Sequence, residues 1–202
     1  MCQQYFFLRH GEVEKKDYLL GRRTDVPLSE NGRKQAYAWR KALSGVPFQA
    51  IITSPAQRAL ETAEIIAPSK DMIIQLPHFH EMDWGLWEGR LIAEVKPLLQ
   101  EQRQRWIAGE LEWHPPEGES LSALLRRVQE GMHLVASLYS TGSVLIITHG
   151  QLLRVLLSSL MGYPIADQDR FHHRRGQLSW GVRLLDGHFY MRALAVDADT
   201  PF

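Results

Sequence analysis

The sequence predicts an α/β fold in which helices cover both faces of a mostly parallel sheet, a three-layer α/β/α sandwich. Three observations predict it. Short, nearly continuous apolar runs recur along the chain, helical segments with clear boundaries lie between them, and the two alternate as strand, helix, strand, helix. Runs without polar alternation fit strands buried on both faces of a parallel sheet. We expect residues 1–202 to form one domain, because a single core serves a chain of this length.

The predicted strands follow from the apolar runs. Those of the parallel part are Tyr5–Leu8, Phe48–Ile52, Met72–Leu76 and Val144–Ile147. Two further runs, Leu178–Leu184 and Phe189–Leu194, flank Asp186-Gly187, a dipeptide typical of a hairpin turn. The last two strands are therefore expected to form a hairpin.

Two of the predicted helices begin at a serine that precedes an apolar face. The first opens at Ser29 and runs to about Leu43. Another starts near Ser120, and its apolar residues up to Leu138 follow one another mostly at spacings of three and four. These serines mark the predicted starts of the two helices.

Two other helices are predicted from capping-box patterns. Ser54-Pro55-Ala56-Gln57 puts serine at the N-cap, proline in the first turn and glutamine at the position that closes the box. Thr148 through Gln151 repeats the pattern before a leucine-rich helix that Gly162 and Pro164 end. The segment 90–119 is less regular and is predicted to be a lid-like insertion with a helical first half.

Composition excludes several classes of protein. Lys+Arg and Asp+Glu number 23 each, so the chain lacks the basic surplus of a typical nucleic-acid binder. Cys2 is the only cysteine, which rules out an internal disulfide. Met1–Leu8 lacks the pattern of a signal peptide, and no apolar run approaches the roughly 18 residues of a membrane helix. We expect a cytoplasmic enzyme without nucleic-acid or membrane partners.

Reactive side chains follow three of the predicted strands. Arg9-His10-Gly11 ends the first strand, Arg58 opens the helix after the second, and His149-Gly150 opens the helix after the fourth. The carboxyl ends of parallel strands meet at one edge of a sheet. Arginine forks and helix N-termini both bind phosphate, and neutral imidazole is a nucleophile near physiological pH. The sequence thus predicts an anion site that is suited to phosphoryl transfer.

Five ordered segments resemble the histidine phosphatase (phosphoglycerate mutase-like) superfamily. They cover about the first three quarters of the chain: Leu8-Arg9-His10-Gly11-Glu12, Gly21 to Gly32, Ser54-Pro55-Ala56-Gln57-Arg58-Ala59, Glu81 to Gly89, and Thr148-His149-Gly150. An Arg-His-Gly sequence alone is a weak signal, but five blocks in the expected order are a strong one. The resemblance implies the phosphoglycerate mutase-like fold.

The resemblance also implies roles for individual residues. His10 would be the nucleophile that becomes phosphorylated, while Arg9, Arg58 and His149 would hold the phosphoryl oxygens. Glu81 would protonate the leaving alcohol and then assist water. Further substrate contacts are expected from residues beside these motifs: Arg22, Arg23, Thr24, Gly150 and Gln151. The resemblance implies no metal and no cofactor.

One part of the family pattern is missing. Many relatives follow the Gly-Glu pair with a threonine and then an asparagine that touches the phosphate, whereas Val13 and Lys16 stand roughly there. The contact is expected to be lost, or supplied by Lys16, Arg22 or Arg23. Other polar pairs are interpreted as structural or exposed: His172-His173 has no third metal ligand at suitable spacing, and Arg126-Arg127 and Arg174-Arg175 are assigned to the surface.

Three function classes stay open at this point. The chain could be a phosphatase of a small phosphorylated metabolite, a phosphoglycerate mutase, or a non-catalytic binding member of the fold. Only about thirty residues separate Gly89 from Ser120, a short lid that favours hydrolysis over mutase chemistry. Among phosphatases, the segments Gly21–Leu28 and Glu81–Gly89 look most like α-ribazole-5′-phosphate phosphatases of cobalamin synthesis. A broad-specificity sugar-phosphate or nucleotide phosphatase is the alternative. The oligomeric state cannot be predicted from the sequence.

Overall fold

A six-stranded mixed sheet forms the centre of the molecule in a computed structural model that describes residues 3–184 and 187–200. The strands are β1 (Gln3–Arg9), β2 (Phe48–Thr53), β3 (Ile73–Gln75), β4 (Gly142–Thr148), β5 (Leu178–Arg183) and β6 (Phe189–Val196). They lie in the order β3-β2-β4-β1-β5-β6. The first four of this order are parallel, and β5 and β6 add an antiparallel edge. The predicted α/β class with a mostly parallel sheet is confirmed.

Within the described ranges, five α-helices accompany the sheet: α1 (Glu30–Ala42), α2 (Gln57–Ile66), α3 (Ile92–Ile107), α4 (Leu121–Leu138) and α5 (Gly150–Leu160). Two apolar clusters lie on opposite faces of the sheet. Successive side chains of β1 belong to different clusters. Phe6 and Leu8 pack with residues of α1 and α2, whereas Tyr5 and Phe7 pack with residues of α3, α4 and α5. Because side chains of a strand alternate in direction, the apolar runs supply both cores.

Local signals predict two of the helix starts correctly. The Ser29 hydroxyl accepts a hydrogen bond from the Gly32 N–H group at 3.1 Å, and the Ser120 hydroxyl accepts one from the Ala123 N–H group at 3.1 Å. Each serine is the N-cap of its helix, α1 and α4 respectively. A short polar side chain beside free backbone donors is sufficient for this local arrangement.

The two caps predicted from capping-box patterns are wrong. The N-cap of α2 is Ala56, and the N-cap of α5 is His149; neither caps through its side chain. The Ser54 hydroxyl lies 2.8 Å from Nε2 of His149, and the Thr148 hydroxyl donates to the Phe79 carbonyl at 2.7 Å. Both hydroxyls lie at hydrogen-bonding distance from partners that are distant in sequence. A local sequence pattern cannot predict such partners.

Further boundaries differ from the predicted ones. β3 is shorter than the Met72–Leu76 run, since Met72 ends a short 3-10 helix before the strand. β5 and β6 form the predicted hairpin pair, but Asp186 of the expected turn lies outside the described residues. Within the insertion 90–119, α3 spans most of the first half. Across the described ranges, no helix combines the length and apolar character needed to cross a membrane.

Candidate active site

The carboxyl ends of β1, β2 and β4 open onto one cavity of about 350 Å³. Arg9 and His10 reach it from β1, Arg58 from the first turn of α2, and Gly150 from the first turn of α5. Glu81 lines the same cavity from the segment between β3 and α3. Because the sheet order places β1 beside β4 and β4 beside β2, these three strand ends are neighbours.

His10 is 3% exposed, and its ring is oriented by its own chain. Nδ1 lies 2.8 Å from the Gly11 carbonyl oxygen. A carbonyl oxygen only accepts, so Nδ1 carries the proton and Nε2 keeps a free lone pair. Burial, together with the charges of Arg58 and Arg9, holds the pKa of His10 well below its ordinary value of 6.5. The imidazole is therefore neutral and nucleophilic at physiological pH.

Arg58 is 1% exposed, and every nitrogen of its guanidinium has a partner. Nη1 donates to the Thr24 carbonyl at 2.9 Å, Nη2 donates to the Gly21 carbonyl at 2.9 Å, and Nε donates to Nδ1 of His149 at 3.2 Å. Burial lowers the pKa of Arg58. The side chain thus ties the segment from Gly21 to Thr24 to the second histidine and holds a cation beneath the cavity.

His149 is fully buried, and its ring centroid lies 5.1 Å from that of His10. Since Nδ1 accepts from Arg58, the proton sits on Nε2 and is donated to the Ser54 hydroxyl at 2.8 Å. The Ser54 hydroxyl lies in turn 3.4 Å from Nδ1 of His80. Burial, followed by the Arg58 charge, lowers the pKa of His149 well below 6.5. A chain of four side chains therefore fixes the tautomer of His149.

Arg9 approaches the cavity beside the start of α5. Its Nη1 donates to the His173 carbonyl at 2.7 Å, and its Nε is buried without a hydrogen-bond partner among the described residues. Burial, and next the Arg175 charge, lowers the pKa of Arg9 to about 10. A Cβ at Gly150 would lie 2.8 Å from Cζ of Arg9, so only glycine leaves room for the guanidinium here. Arg9 keeps a donor available for an anion.

The Glu81 carboxylate is held at the N-terminus of α5. Its oxygens accept hydrogen bonds from the N–H groups of Met82 at 2.9 Å, Leu152 at 3.1 Å and Gln151 at 3.2 Å. The Arg127 guanidinium supports the preceding backbone, donating to the carbonyls of His78 at 2.7 Å and His80 at 2.9 Å. The assignment of Arg127 to the surface is therefore wrong, because its side chain positions the segment that carries Glu81.

The predicted substrate contacts separate into two groups. Gly150 and Gln151 line the cavity. Arg22, Arg23 and Thr24 are not among its lining residues and make contacts elsewhere. The Arg22 guanidinium pairs with Glu119 at 3.1 Å, that of Arg23 pairs with Asp83 at 3.0 Å, and the Thr24 hydroxyl donates to Glu88 at 2.8 Å. These three residues brace the segment whose carbonyls hold Arg58.

The two positions at which the resemblance leads us to expect phosphate contacts, Val13 and Lys16, do not line the cavity. Val13 is buried in a small apolar cluster with Val26 and Leu28 and is not a lining residue of the cavity. Lys16 lines a separate surface depression and not the cavity of His10. Neither Val13 nor Lys16 therefore supplies the absent contact in this arrangement.

Arg175 is a site residue that sequence reasoning missed. The sequence pattern assigns the pair Arg174-Arg175 to the surface, yet only Arg174 is exposed, where it pairs with Asp197 at 2.7 Å. Arg175 lines the cavity, and its Nε is buried without a partner among the described residues. Its charge contributes to lowering the pKa of His10, Arg9 and Arg58. No feature of two adjacent arginines distinguishes the one that turns inward.

A second wall of the cavity comes from α3, the second turn of α5 and the 3-10 helix Ile165–Phe171 that follows α5. Trp106 and Leu99 supply apolar surface, and Gln102 presents an amide. Asp169 accepts hydrogen bonds from both Arg154, at 3.0 Å, and Arg103. Lys96, Arg103 and Arg154 add to the positive charge already contributed by Arg9, Arg58 and Arg175, whereas Glu81 and Asp169 are the acidic lining residues. The arrangement is suited to an anionic ligand.

Comparison with known sequences gives a consistent family. A family profile described as histidine phosphatase superfamily (branch 1) matches residues 5–196. The probable phosphoglycerate mutase GpmB of Serratia proteamaculans is 32% identical over 178 residues, covering 87% of this chain and 83% of that protein. The adenosylcobalamin/alpha-ribazole phosphatase of Escherichia coli is 28% identical over 182 residues, covering 88% of this chain and 87% of that protein.

Solved structures share the whole architecture. YhfR of Bacillus stearothermophilus superimposes with a TM-score of 0.84 at 28% identity, over 98% of each chain. The alpha-ribazole phosphatase of Shigella flexneri superimposes with a TM-score of 0.82 at 23% identity, over 96% of each chain. The phosphoglycerate mutase-like fold that the motifs implied is confirmed.

Proposed function

The chain belongs to the histidine phosphatase superfamily (branch 1), and on that basis we propose that it is a metal-independent phosphomonoesterase acting through a phosphohistidine at His10. One observation carries the proposal. Nε2 of His10 has a free lone pair in a cavity that Arg9, Arg58 and Arg175 also line. A neutral nucleophile surrounded by cations is what attack on a phosphate monoester requires.

In the first step, Nε2 of His10 attacks phosphorus while the bond from phosphorus to the ester oxygen breaks. Glu81 gives its proton to the departing oxygen, so that an alcohol leaves and a carboxylate stays behind. Arg9, Arg58 and Arg175 stabilise the charge on the phosphoryl oxygens, and His149 lies beside the nucleophile. The His10 ring, with its proton kept on Nδ1 by Gly11, becomes the phosphohistidine.

In the second step, water attacks phosphorus and the bond to Nε2 breaks. The Glu81 carboxylate removes a proton from the water and regains the form needed for the next turnover. Inorganic phosphate leaves and neutral His10 is restored. Between the two steps Glu81 is a carboxylate, and the three backbone N–H groups that donate hydrogen bonds to it stabilise its negative charge. A positioned acid and base of this kind contributes about 10²–10⁴ in rate.

For the substrate, we propose α-ribazole 5′-phosphate, a small phosphorylated metabolite of cobalamin synthesis. The segments Gly21–Leu28 and Glu81–Gly89 support this substrate through their likeness to phosphatases of that type. The Escherichia coli relative named for this activity, 28% identical, supports it further. A phosphoglycerate mutase is the second candidate, because the Serratia proteamaculans relative with that name is 32% identical.

The test is phosphate release from p-nitrophenyl phosphate and α-ribazole 5′-phosphate in EDTA, for the unmodified chain and for His10→Ala. His133→Ala is the matched control, since His133 is exposed on α4. We expect release by the unmodified chain and by the control, and at least about a 10³-fold loss in His10→Ala. Release that persists in His10→Ala, or that requires a divalent ion, would contradict the phosphohistidine mechanism.

A second assay separates the substrates. Interconversion of 3-phosphoglycerate and 2-phosphoglycerate, followed by ³¹P NMR, would favour the mutase over the phosphatase. Strong preference for α-ribazole 5′-phosphate over p-nitrophenyl phosphate supports the cobalamin assignment. Similar rates on many sugar phosphates and nucleotides would favour a broad-specificity phosphatase instead. If none of these compounds reacts, the chain is a binding member of the fold.

A further inference from the structure

The wall that α3 contributes to the cavity contains an amide with unused hydrogen-bonding capacity. Gln102 is 1% exposed, and neither its Oε1 nor its Nε2 has a hydrogen-bond partner among the described residues. A buried amide without partners is costly to a folded protein, so such groups are rare unless they serve a ligand. Gln102 also lines the cavity of His10.

The buried, unpartnered polar side-chain atoms of the residues that line this cavity fall into two chemical types. Within the described part of the chain they belong to Arg9, Arg175 and Gln102. The two arginines are cationic and suit the phosphoryl group. The amide is neutral and offers an acceptor and two donors side by side, which suits a group that both donates and accepts, such as a hydroxyl.

Three charged side chains of this wall pair with one another. The Asp169 carboxylate accepts from Arg154 at 3.0 Å and also from Arg103. The side chain of Gln151 bonds to that of Gln168. These pairs leave Gln102 as the buried wall residue whose amide has no partner among the described residues. That amide is suited to hydroxyl groups, which both donate and accept.

Apolar surface lies around the same amide. Trp106 and Leu99 line the cavity from α3, and Trp84 lines it from the segment after Glu81. Sugar rings combine an apolar C–H face with a rim of hydroxyls, so aromatic surface beside an amide fits both parts of such a ring. A cavity of about 350 Å³ has room for one ring beyond the phosphoryl group.

We propose that Gln102 is a specificity-determining residue that recognises the hydroxyls of a neutral, sugar-type leaving group. The inference rests on the proposed phosphatase function and assigns the part of the substrate that departs. The amide oxygen accepts from one ring hydroxyl and the amide nitrogen donates to another, while Trp106 packs against the face of the ring. Gln102 takes no part in breaking the phosphorus–oxygen bond.

The test uses two substrates that differ only in hydroxyls. Ribose 5-phosphate and tetrahydrofurfuryl phosphate have the same ring and the same leaving oxygen, but the second lacks the ring hydroxyls. We expect the unmodified chain to favour ribose 5-phosphate by roughly tenfold or more in kcat/KM, because pairing the amide requires a hydroxyl. Equal rates on the two esters would overturn the inference without any variant.

Gln102→Met removes the amide while keeping the length of the side chain. We expect the preference between the two esters to fall toward unity, through slower turnover of ribose 5-phosphate and not of tetrahydrofurfuryl phosphate. We also expect the Tm of the unliganded variant to rise by about 2–4 °C, since a buried unpaired amide is removed. Gln104→Met is the matched control, an exposed glutamine on the same helix, and should change neither measurement.

The outcomes distinguish this inference from the proposed function. If the unmodified chain hydrolyses neither of these esters nor p-nitrophenyl phosphate, the phosphatase proposal fails and the inference fails with it. If the esters are hydrolysed but Gln102→Met keeps the preference, only the inference is overturned. A lowered Tm with an unchanged preference would identify Gln102 as a structural residue.

Discussion

Nε of Arg58 donates a hydrogen bond to Nδ1 of His149 at 3.2 Å, so two predicted site residues from the starts of α2 and α5 form one unit. The bond fixes which nitrogen of His149 carries the proton, because guanidinium only donates. The remaining donors of Arg58 hold the carbonyls of Gly21 and Thr24. Arg58 thus connects the phosphate end of the cavity to the segment that follows β1.

Arg58→Lys keeps the positive charge but removes the planar fork. A single ammonium cannot reach both carbonyls and His149, so we expect kcat/KM to fall by about 10²–10³. Leaving buried carbonyls unpaired should lower the free energy of unfolding by about 2–4 kcal/mol. Initial rates and urea denaturation measure the two effects. Arg33→Lys is the control, since Arg33 is exposed and makes one long ion pair to Glu61 at 3.5 Å. If Arg58→Lys kept full activity, and only substitutions that remove the positive charge of Arg58 lowered kcat/KM, the role of the fork would be contradicted.

Arg175→Ala tests a direct contact between this cavity-lining cation and the substrate phosphate. One charge-assisted hydrogen bond to phosphate is worth roughly tenfold in affinity or more, so KM and the Kd for inorganic phosphate should both rise at least about tenfold. Arg174→Ala is the adjacent control, because Arg174 is exposed and paired with Asp197. Kinetics and calorimetric titration with phosphate give the two constants. Equal effects of the two substitutions would mean that general surface charge, and not a direct contact, attracts the substrate.

Gly150→Ala should separate activity from stability. The new Cβ would lie 2.8 Å from Cζ and 3.0 Å from Nη1 of Arg9, and the flexible guanidinium would move away from it. We expect kcat/KM to fall by at least about tenfold. Stability should change little, because alanine favours the helical start of α5 by up to about 1 kcal/mol. Gly45→Ala is the control, because a Cβ at Gly45 meets no atom within 4 Å. Unchanged kcat/KM of Gly150→Ala would show that the position of the Arg9 guanidinium is not critical for activity.

The sequence predicts those parts of the fold and site that depend on local chemistry. Serine beside free N–H groups determines the starts of α1 and α4, and continuous apolar runs determine the strands. The convergence of His10, Arg58 and His149 is also predictable, because the carboxyl ends of neighbouring parallel strands share one edge.

Other features depend on partners that are distant in sequence. Ser54 matches a capping box, yet its hydroxyl meets His149, 95 positions later in the chain. Arg174 and Arg175 are the same residue type in adjacent positions, and the backbone path places only the second of them against the cavity of His10. A weak signal for Gln102 exists: it lies seven residues after Val95 and four before Trp106, in the buried stripe of α3. That stripe could be recognised only once the helical register was known.

Stability should fall in mild acid because several buried histidines resist protonation. The pKa of His173 is lowered to about 4, first by burial, and those of His10 and His149 are lowered well below 6.5. In the unfolded chain each histidine titrates near 6.5. Below that pH the unfolded state therefore binds more protons than the native state. The stabilisation is complete above about pH 6.5 and is lost as the pH falls toward the native pKa values.

His173→Gln isolates one contribution to this dependence. His173 is fully buried, and its Nε2 lies 2.6 Å from the Ser179 hydroxyl. Between about pH 6.5 and 4, one such histidine adds about 1.4 kcal/mol per pH unit to the slope of the unfolding free energy. We expect His173→Gln to reduce the slope by about that amount, as measured by urea denaturation at several pH values, whatever its effect at pH 7. His133→Gln is the matched control, since it makes the same substitution at an exposed histidine of α4. If the slope of His173→Gln equals that of the unmodified chain, then His173 is protonated in the native state and the acid sensitivity has another source.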